Sequence, residues 1–130
     1  TLDRLDNRGH AGRGIAHLGG ERIGGTKKAG KLSGLGKVLF DSPKHADLAI
    51  AHSRWATHGG PTDENAHPHY DRFERIAIIH NGIIENYLEL KQDLVAHAHH
   101  FSSQTDTEVA AHVIGREYAE GVSPEEAVQK

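Results

Sequence analysis

Two short apolar runs, Leu48-Ala-Ile-Ala-His52 and Arg75-Ile-Ala-Ile-Ile-His80, limit the folds open to this chain more than any other feature. Runs of this length are strand-sized, and both read as buried strands that end on a histidine. After the second comes a helical pattern in which Ile84, Tyr87, Leu88, Lys91, Leu94 and Val95 share one face. Asp106 to Glu120 predicts a further helix, with Ala110, Val113, Ile114 and Tyr118 on one stripe and Gly121 ending it. Strands with helices between them imply a mixed α/β layer arrangement. Upstream, Gly14 to Lys37 is glycine-rich. It contains a hairpin pattern, residues 14–18 and 21–23 around Gly19-Gly20. Residues 27–37 read as a loop or a weak short helix, and their glycine spacing does not match a phosphate-binding loop.

A chain of 130 residues is one domain or part of one, and at that size it buries roughly two-thirds of its unfolded surface. Its net charge of −3 is spread among interspersed acids and bases, so no nucleic-acid or membrane footprint emerges. No apolar run reaches bilayer length and no secretory signal is visible. Cysteine is absent, which excludes disulfides and thiol chemistry by these residues and suits a cytoplasmic protein. Both ends read as cut through structure. Residues 1–9 look like the last turns of a helix, and Ser123-Pro-Glu-Glu126 is an N-cap, a proline at the first helical position and a capping-box glutamate. The expectation is a fragment of a longer chain.

Histidine, present 12 times, raises the question of a metal. The dense places are His67-Pro-His69 and His97-Ala-His-His100. Without cysteine, a four-ligand zinc site would need histidines or carboxylates from distant segments, and no H-E-x-x-H helix is present. Solvated surface is the ordinary reading of His97, His99 and His100 at the end of the predicted helix, and no metal or organic cofactor is expected. An amino-acid site fits other residues. Arg54 follows a strand, where a guanidinium can grip a carboxylate through paired hydrogen bonds. Asn81-Gly82 also follows a strand. It is either a plain turn or an amide beside a bare glycine N–H, two donors able to converge on one oxygen. Asp106 sits where a helix N-cap or first-turn acid belongs.

Together, His52-Ser-Arg-Trp-Ala-Thr-His-Gly59, Asn65-Ala-His-Pro-His69, His80-Asn-Gly-Ile-Ile-Glu-Asn86 and Thr105-Asp-Thr-Glu-Val109 resemble the glutaminase domain of the glucosamine-6-phosphate synthases. These are glutamine–fructose-6-phosphate aminotransferases (isomerizing), whose glutaminase is a class II glutamine amidotransferase. The resemblance runs from Arg8 to about Val128. It implies an α+β fold of the N-terminal-nucleophile type, an αββα sandwich. The chain would then be a partial domain over residues 1–130, without the first strand and the later half.

The resemblance also implies roles. Arg54 would hold the α-carboxylate of L-glutamine and Asp106 its α-ammonium. Asn81 and Gly82 would form the oxyanion hole. Trp55 to Gly59 would open a loop that closes over the substrate, with Thr57 and His58 in contact with it. Read alone, Trp55 is either such a lid residue or a core aromatic. Arg8 matches an arginine near the catalytic centre, and its plain reading is a helix-end cation. The parent enzyme would hydrolyse glutamine through a cysteinyl thioester and pass ammonia to fructose 6-phosphate, as a homo-oligomer.

Two departures stand out. The family nucleophile is an N-terminal cysteine that this chain lacks, and Thr1 lies on a helix-like segment instead of a first strand. Residues 7–14 keep only Arg8, Gly9 and Gly14 of the family stretch Tyr-Arg-Gly-Tyr-Asp-Ser-(Ala/Ser)-Gly. The expected product is an enzyme fragment inactive by itself. The alternative is a non-catalytic module that binds an amino acid in a retained glutamine pocket.

Overall fold

A computed structural model describes residues 12–30, 35–37, 45–55 and 59–129. The strands are β1 (Gly12–Gly19), β2 (Arg22–Ala29), β3 (Leu48–Ser53), β4 (His69–Tyr70) and β5 (Ala77–Ile78). The helices are α1 (Tyr87–Ala96), α2 (Asp106–Ala119) and α3 (Pro124–Gln129). β1 lies between β2 and β3 in one antiparallel sheet, and β4 pairs with β5 in a second. Residues 35–37 form a helical turn between β2 and β3. Strands pair only in antiparallel fashion among the described residues, and α1–α3 follow them in sequence, so the architecture is α+β.

The hairpin forms one residue later than its glycines indicate. Gly19 pairs with Arg22, and the two-residue turn is Gly20-Glu21. Gly20 takes φ +64°, the positive angle that a hairpin turn needs at its first central position. Lys27 and Lys28, expected in a loop or short helix, instead complete β2. Two glycines of β1 serve close packing. A Cβ on Gly12 would lie 2.6 Å from Ala66 Cβ, and one on Gly14 would collide with His67 O. Segment 65–69 therefore crosses directly over the strand.

β3 forms where expected but is not a buried strand. Leu48 is 62% exposed, and Ala49 and Ala51 are exposed too. β3 is an edge strand, paired on one side only among the described residues. The sheet face beside it opens into an apolar cleft of ≈150 Å³ lined by Ala16, Leu18, Ile23, Leu48, Ile50 and Ala77. The second predicted strand shrinks to Ala77–Ile78. The cause lies in its flanks: Arg75 and Ile76 donate their N–H groups to Asp71 Oδ1 at 2.6 and 2.9 Å, and His80 donates its own to His67 Nδ1 at 3.3 Å. Side chains have taken the donors that a longer ladder would use.

α2 starts as its sequence indicates. Thr105, in extended backbone, caps it by accepting the Glu108 N–H at 3.4 Å, and Gly121 follows its end at φ +91°. The buried face is not the expected stripe. Glu108, Val109, Ala111, His112 and Gly115 face inward, while Ala110, Val113 and Ile114 are half-buried and Tyr118 is exposed. Polar residues can occupy that face because they are bonded there: Glu108 to Ser102 and Ser103, His112 Nδ1 to His99 Nδ1 at 2.9 Å. α1 is similarly rotated. Tyr87, Lys91 and Leu94, spaced i, i+4, i+7, turn toward the body, while Leu88 and Val95 are 59% and 55% exposed. The capping box at Ser123 closes as read, with Glu126 N–H on Ser123 Oγ and Ser123 N–H on Glu126 Oε2, both at 3.3 Å. The predicted N-terminal helix lies outside the described residues.

Candidate functional site

The C-terminal end of β3, the loop after β5 and the start of α2 converge on one recess. Arg54, Trp55, His80, Asn81, Gly82 and Asp106 line it, with His52, His67, Thr105 and Thr107. Arg54 extends the β1–β3 ladder through its N–H on Gly12 O at 2.7 Å and is only 3% exposed. Its guanidinium donates to Gly60 O at 3.2 Å and to Gly59 O at 3.4 Å. Burial pulls its pKa down and the nearby Asp106 carboxylate opposes that; an arginine so placed stays charged.

Asp106 is the first residue of α2, 3% exposed, and its Oδ2 accepts the Ile84 N–H at 2.8 Å. A carboxylate at that position also gains from the positive end of the helix. Asn81 and Gly82 are exposed. The Gly82 Cα faces the His80 ring, with a Cβ position only 2.8 Å from Nε2, so a side chain there would displace the imidazole. Trp55 is 68% exposed and is not a core aromatic. Gly59 takes φ +76°. Thr57, His58 and Arg8 lie outside the described residues.

The histidines behind the recess are stacked and hydrogen-bonded. His52 and His67 rings lie 4.6 Å apart, nearly parallel, and His67 meets His69 edge-on at 4.8 Å. Burial, then the neighbouring cations and histidines, pulls His67 and His69 down to about 3. Both are neutral near pH 7 and act as hydrogen-bond partners. His67 Nδ1 accepts from the His80 N–H, so its proton sits on Nε2, and His69 Nε2 pairs with Thr105 Oγ1 at 2.8 Å. Among the described residues no three histidine or carboxylate side chains are grouped to hold a metal.

Sequence reasoning did not single out Asn65, Gln104 or Glu108. Asn65 Nδ2 donates to Gly60 O at 3.0 Å, and Gln104 N–H donates to Asn65 Oδ1 at 2.9 Å. The only signal for Asn65 was its place in the Asn-Ala-His-Pro-His motif. Chemically, the recess offers a buried cation and a buried anion fixed near each other, with open polar groups at Asn81-Gly82. Such a site matches a zwitterion whose other end carries a polarisable group.

Residues 38–123 match the glutamine amidotransferase domain family. The chain is 52% identical over 117 residues to the glutamine–fructose-6-phosphate aminotransferase (isomerizing) of Thermus thermophilus, across 90% of this chain and 19% of that protein. The enzyme of the same name from Streptomyces coelicolor is 49% identical over 119 residues, 91% of this chain and 19% of that protein. That from Mesorhizobium japonicum is 45% identical over all 130 residues, 21% of its own length. The chain thus spans about a fifth of the length of these relatives. With the family match covering most of its length, this chain belongs to the glutamine amidotransferase domain family.

Proposed function

We propose that the recess binds L-glutamine and that the chain is part of a glutamine–fructose-6-phosphate aminotransferase (isomerizing). Arg54 holds the α-carboxylate and Asp106 the α-ammonium. The side chain of the substrate then reaches Asn81 and Gly82, whose N–H groups stabilise the oxyanion of the tetrahedral intermediate. The loop from Trp55 to Gly59, with Thr57 and His58 on the substrate, closes over it and excludes water. Arg8 supports the catalytic centre.

In the family pattern the sulfur of an N-terminal cysteine attacks the amide carbon, ammonia leaves, and water hydrolyses the resulting thioester to glutamate. Ammonia is passed to fructose 6-phosphate, giving glucosamine 6-phosphate. None of the 130 residues is cysteine, so this stretch by itself hydrolyses no glutamine. The reading includes an αββα sandwich, a cytoplasmic homo-oligomer, and no metal or organic cofactor.

The observation that carries this reading is the meeting of Arg54, Asp106, Asn81 and Gly82 at one recess. They come from separate chain segments, each within a motif of the resemblance. Calorimetry with L-glutamate tests it in the intact protein. Binding that Arg54→Ala weakens by about a hundredfold fits removal of one partner from a desolvated charge pair. Equal affinity of the two proteins would overturn the carboxylate grip. Glutamine hydrolysis by pure 130-residue chain would overturn the claim that the stretch is inactive alone.

A further inference from the structure

The carbonyl of Gly60 is held twice. It accepts from Arg54 Nη1 at 3.2 Å and from Asn65 Nδ2 at 3.0 Å. Asn65 is 2% exposed, and every polar atom of its amide is engaged. Nδ2 also donates to Gln104 Oε1 at 3.3 Å, and Oδ1 accepts the Gln104 N–H at 2.9 Å. The same Nδ2 fills the space beside Gly59, 2.5 Å from where a Cβ would sit. Gln104 directly precedes Thr105, the cap of α2, and Asp106 follows the cap. One buried amide therefore connects the carbonyl that Arg54 grips to the backbone that carries Asp106.

The segment holding Asn65 is itself anchored. Asp63 accepts the Ala29 N–H at 2.6 Å and Lys28 Nζ at 2.8 Å, and Glu64 O accepts Lys27 Nζ at 2.9 Å, all from β2. Asn65 N–H donates to Thr62 Oγ1 at 3.2 Å. Asn65 thus stands on the sheet and reaches both sides of the charged half of the recess.

We propose that Asn65 is a positioning residue that sets the separation of Arg54 and Asp106, and with it the affinity for the amino-acid end of the substrate. The inference rests on reading the recess as the glutamine site. Asn65 is not among the residues that line the recess with Asn81 and Gly82, so it governs binding and leaves the chemical step to others. An aspartate has the same shape but turns the Nδ2 donor into an acceptor. It then faces Gly60 O and Gln104 Oε1, both acceptors, and pushes the Gly60 carbonyl away from its present place.

The test is glutamine kinetics of the intact aminotransferase carrying Asn65→Asp, beside Arg54→Ala. The expected result for Asn65→Asp is a KM for glutamine raised about tenfold with kcat within about threefold, since lost hydrogen bonds at a buried site cost enough for that. A merely structural role would instead reduce the folded fraction, lowering apparent kcat at unchanged KM, and that result overturns the proposal. Arg54→Ala separates the two levels. If it leaves KM unchanged, the glutamine reading of the recess falls; if it raises KM while Asn65→Asp does not, only the role of Asn65 falls. Should Asn65→Asp not fold, Gln104→Leu at an exposed position removes one acceptor from Nδ2. It is expected to raise KM about twofold to threefold at constant kcat, and an unchanged KM overturns the proposal equally.

Discussion

On one side of the recess Arg54, Thr105 and Asp106 are 2–3% exposed and held by hydrogen bonds to Gly59, Gly60, Glu108 and Ile84. On the other, Trp55 is 68% exposed, and Asn81 and Gly82 are exposed and donate no hydrogen bond to any described residue. The contrast follows from when each group carries its load. A fixed charge taken out of water must be bonded at all times or it is too costly to bury. Donors meant for charge that appears only during a reaction are most useful when nothing in the protein occupies them beforehand. Under the proposed function, one side serves recognition and the other chemistry.

The largest way to break this division is Arg54→Ala, for which about a hundredfold loss of L-glutamate affinity is expected by calorimetry. Next comes Asn81→Ala in the intact enzyme, expected to lower kcat about a hundredfold while KM moves little. A change confined to KM would make the open side a binding wall and erase the distinction. On the bonded side, Glu108 accepts from Ser102 N–H and Oγ at 2.8 Å each, and from Ser103 N–H at 2.7 Å and Oγ at 2.5 Å. Those four donors outweigh burial and hold its pKa below the ordinary value. Glu108→Ala leaves them unmatched, and a loss of about 3 kcal/mol in chemical denaturation is expected.

Acid probes the same side. Folding moves His67 and His69 from the ordinary 6.5 to about 3, so between those values the unfolded chain binds more protons than the folded one. Stability is therefore full above about pH 6.5 and falls as pH drops through the window, on the order of 2 kcal/mol per histidine by about pH 5. A His67→Gln variant should show a shallower acid slope in pH-dependent denaturation; an unchanged slope would mean that His67 is not held neutral. The smallest effect is expected at Leu88→Ala on the exposed stripe of α1, within about 0.5 kcal/mol in the same assay.

What could be read from the chain divides along the reach of each interaction. The bounds of α2 at Asp106 and Gly121 and the capping box at Ser123 were legible because their signals lie within one turn of chain. The hairpin was visible from its glycines but offset by one, since either Gly19-Gly20 or Gly20-Glu21 satisfies the local rule and only pairing chooses. The strand at residues 75–80 was overestimated because Asp71, a turn residue upstream, captures two of its N–H groups. The inward faces of α1 and α2 were misassigned for a similar reason. Apolar periodicity cannot foresee that Glu108 and His112 will find partners that permit their burial. At the recess, Arg54, Asp106, Asn81 and Gly82 were reachable through short motifs. Asn65 was not, because its meaning resides in a contact with Gln104, 39 positions away.

The central claim is that the buried charges bind the amino-acid end of glutamine while Asn81 and Gly82 face its amide. A crystal structure of the intact protein with bound L-glutamate tests this most directly. The account predicts the α-carboxylate on the Arg54 guanidinium, the α-ammonium on Asp106, and the side-chain carboxylate oxygen within hydrogen-bond distance of Asn81 and the Gly82 N–H. Glutamate bound in the reverse direction, or outside this recess, would contradict it.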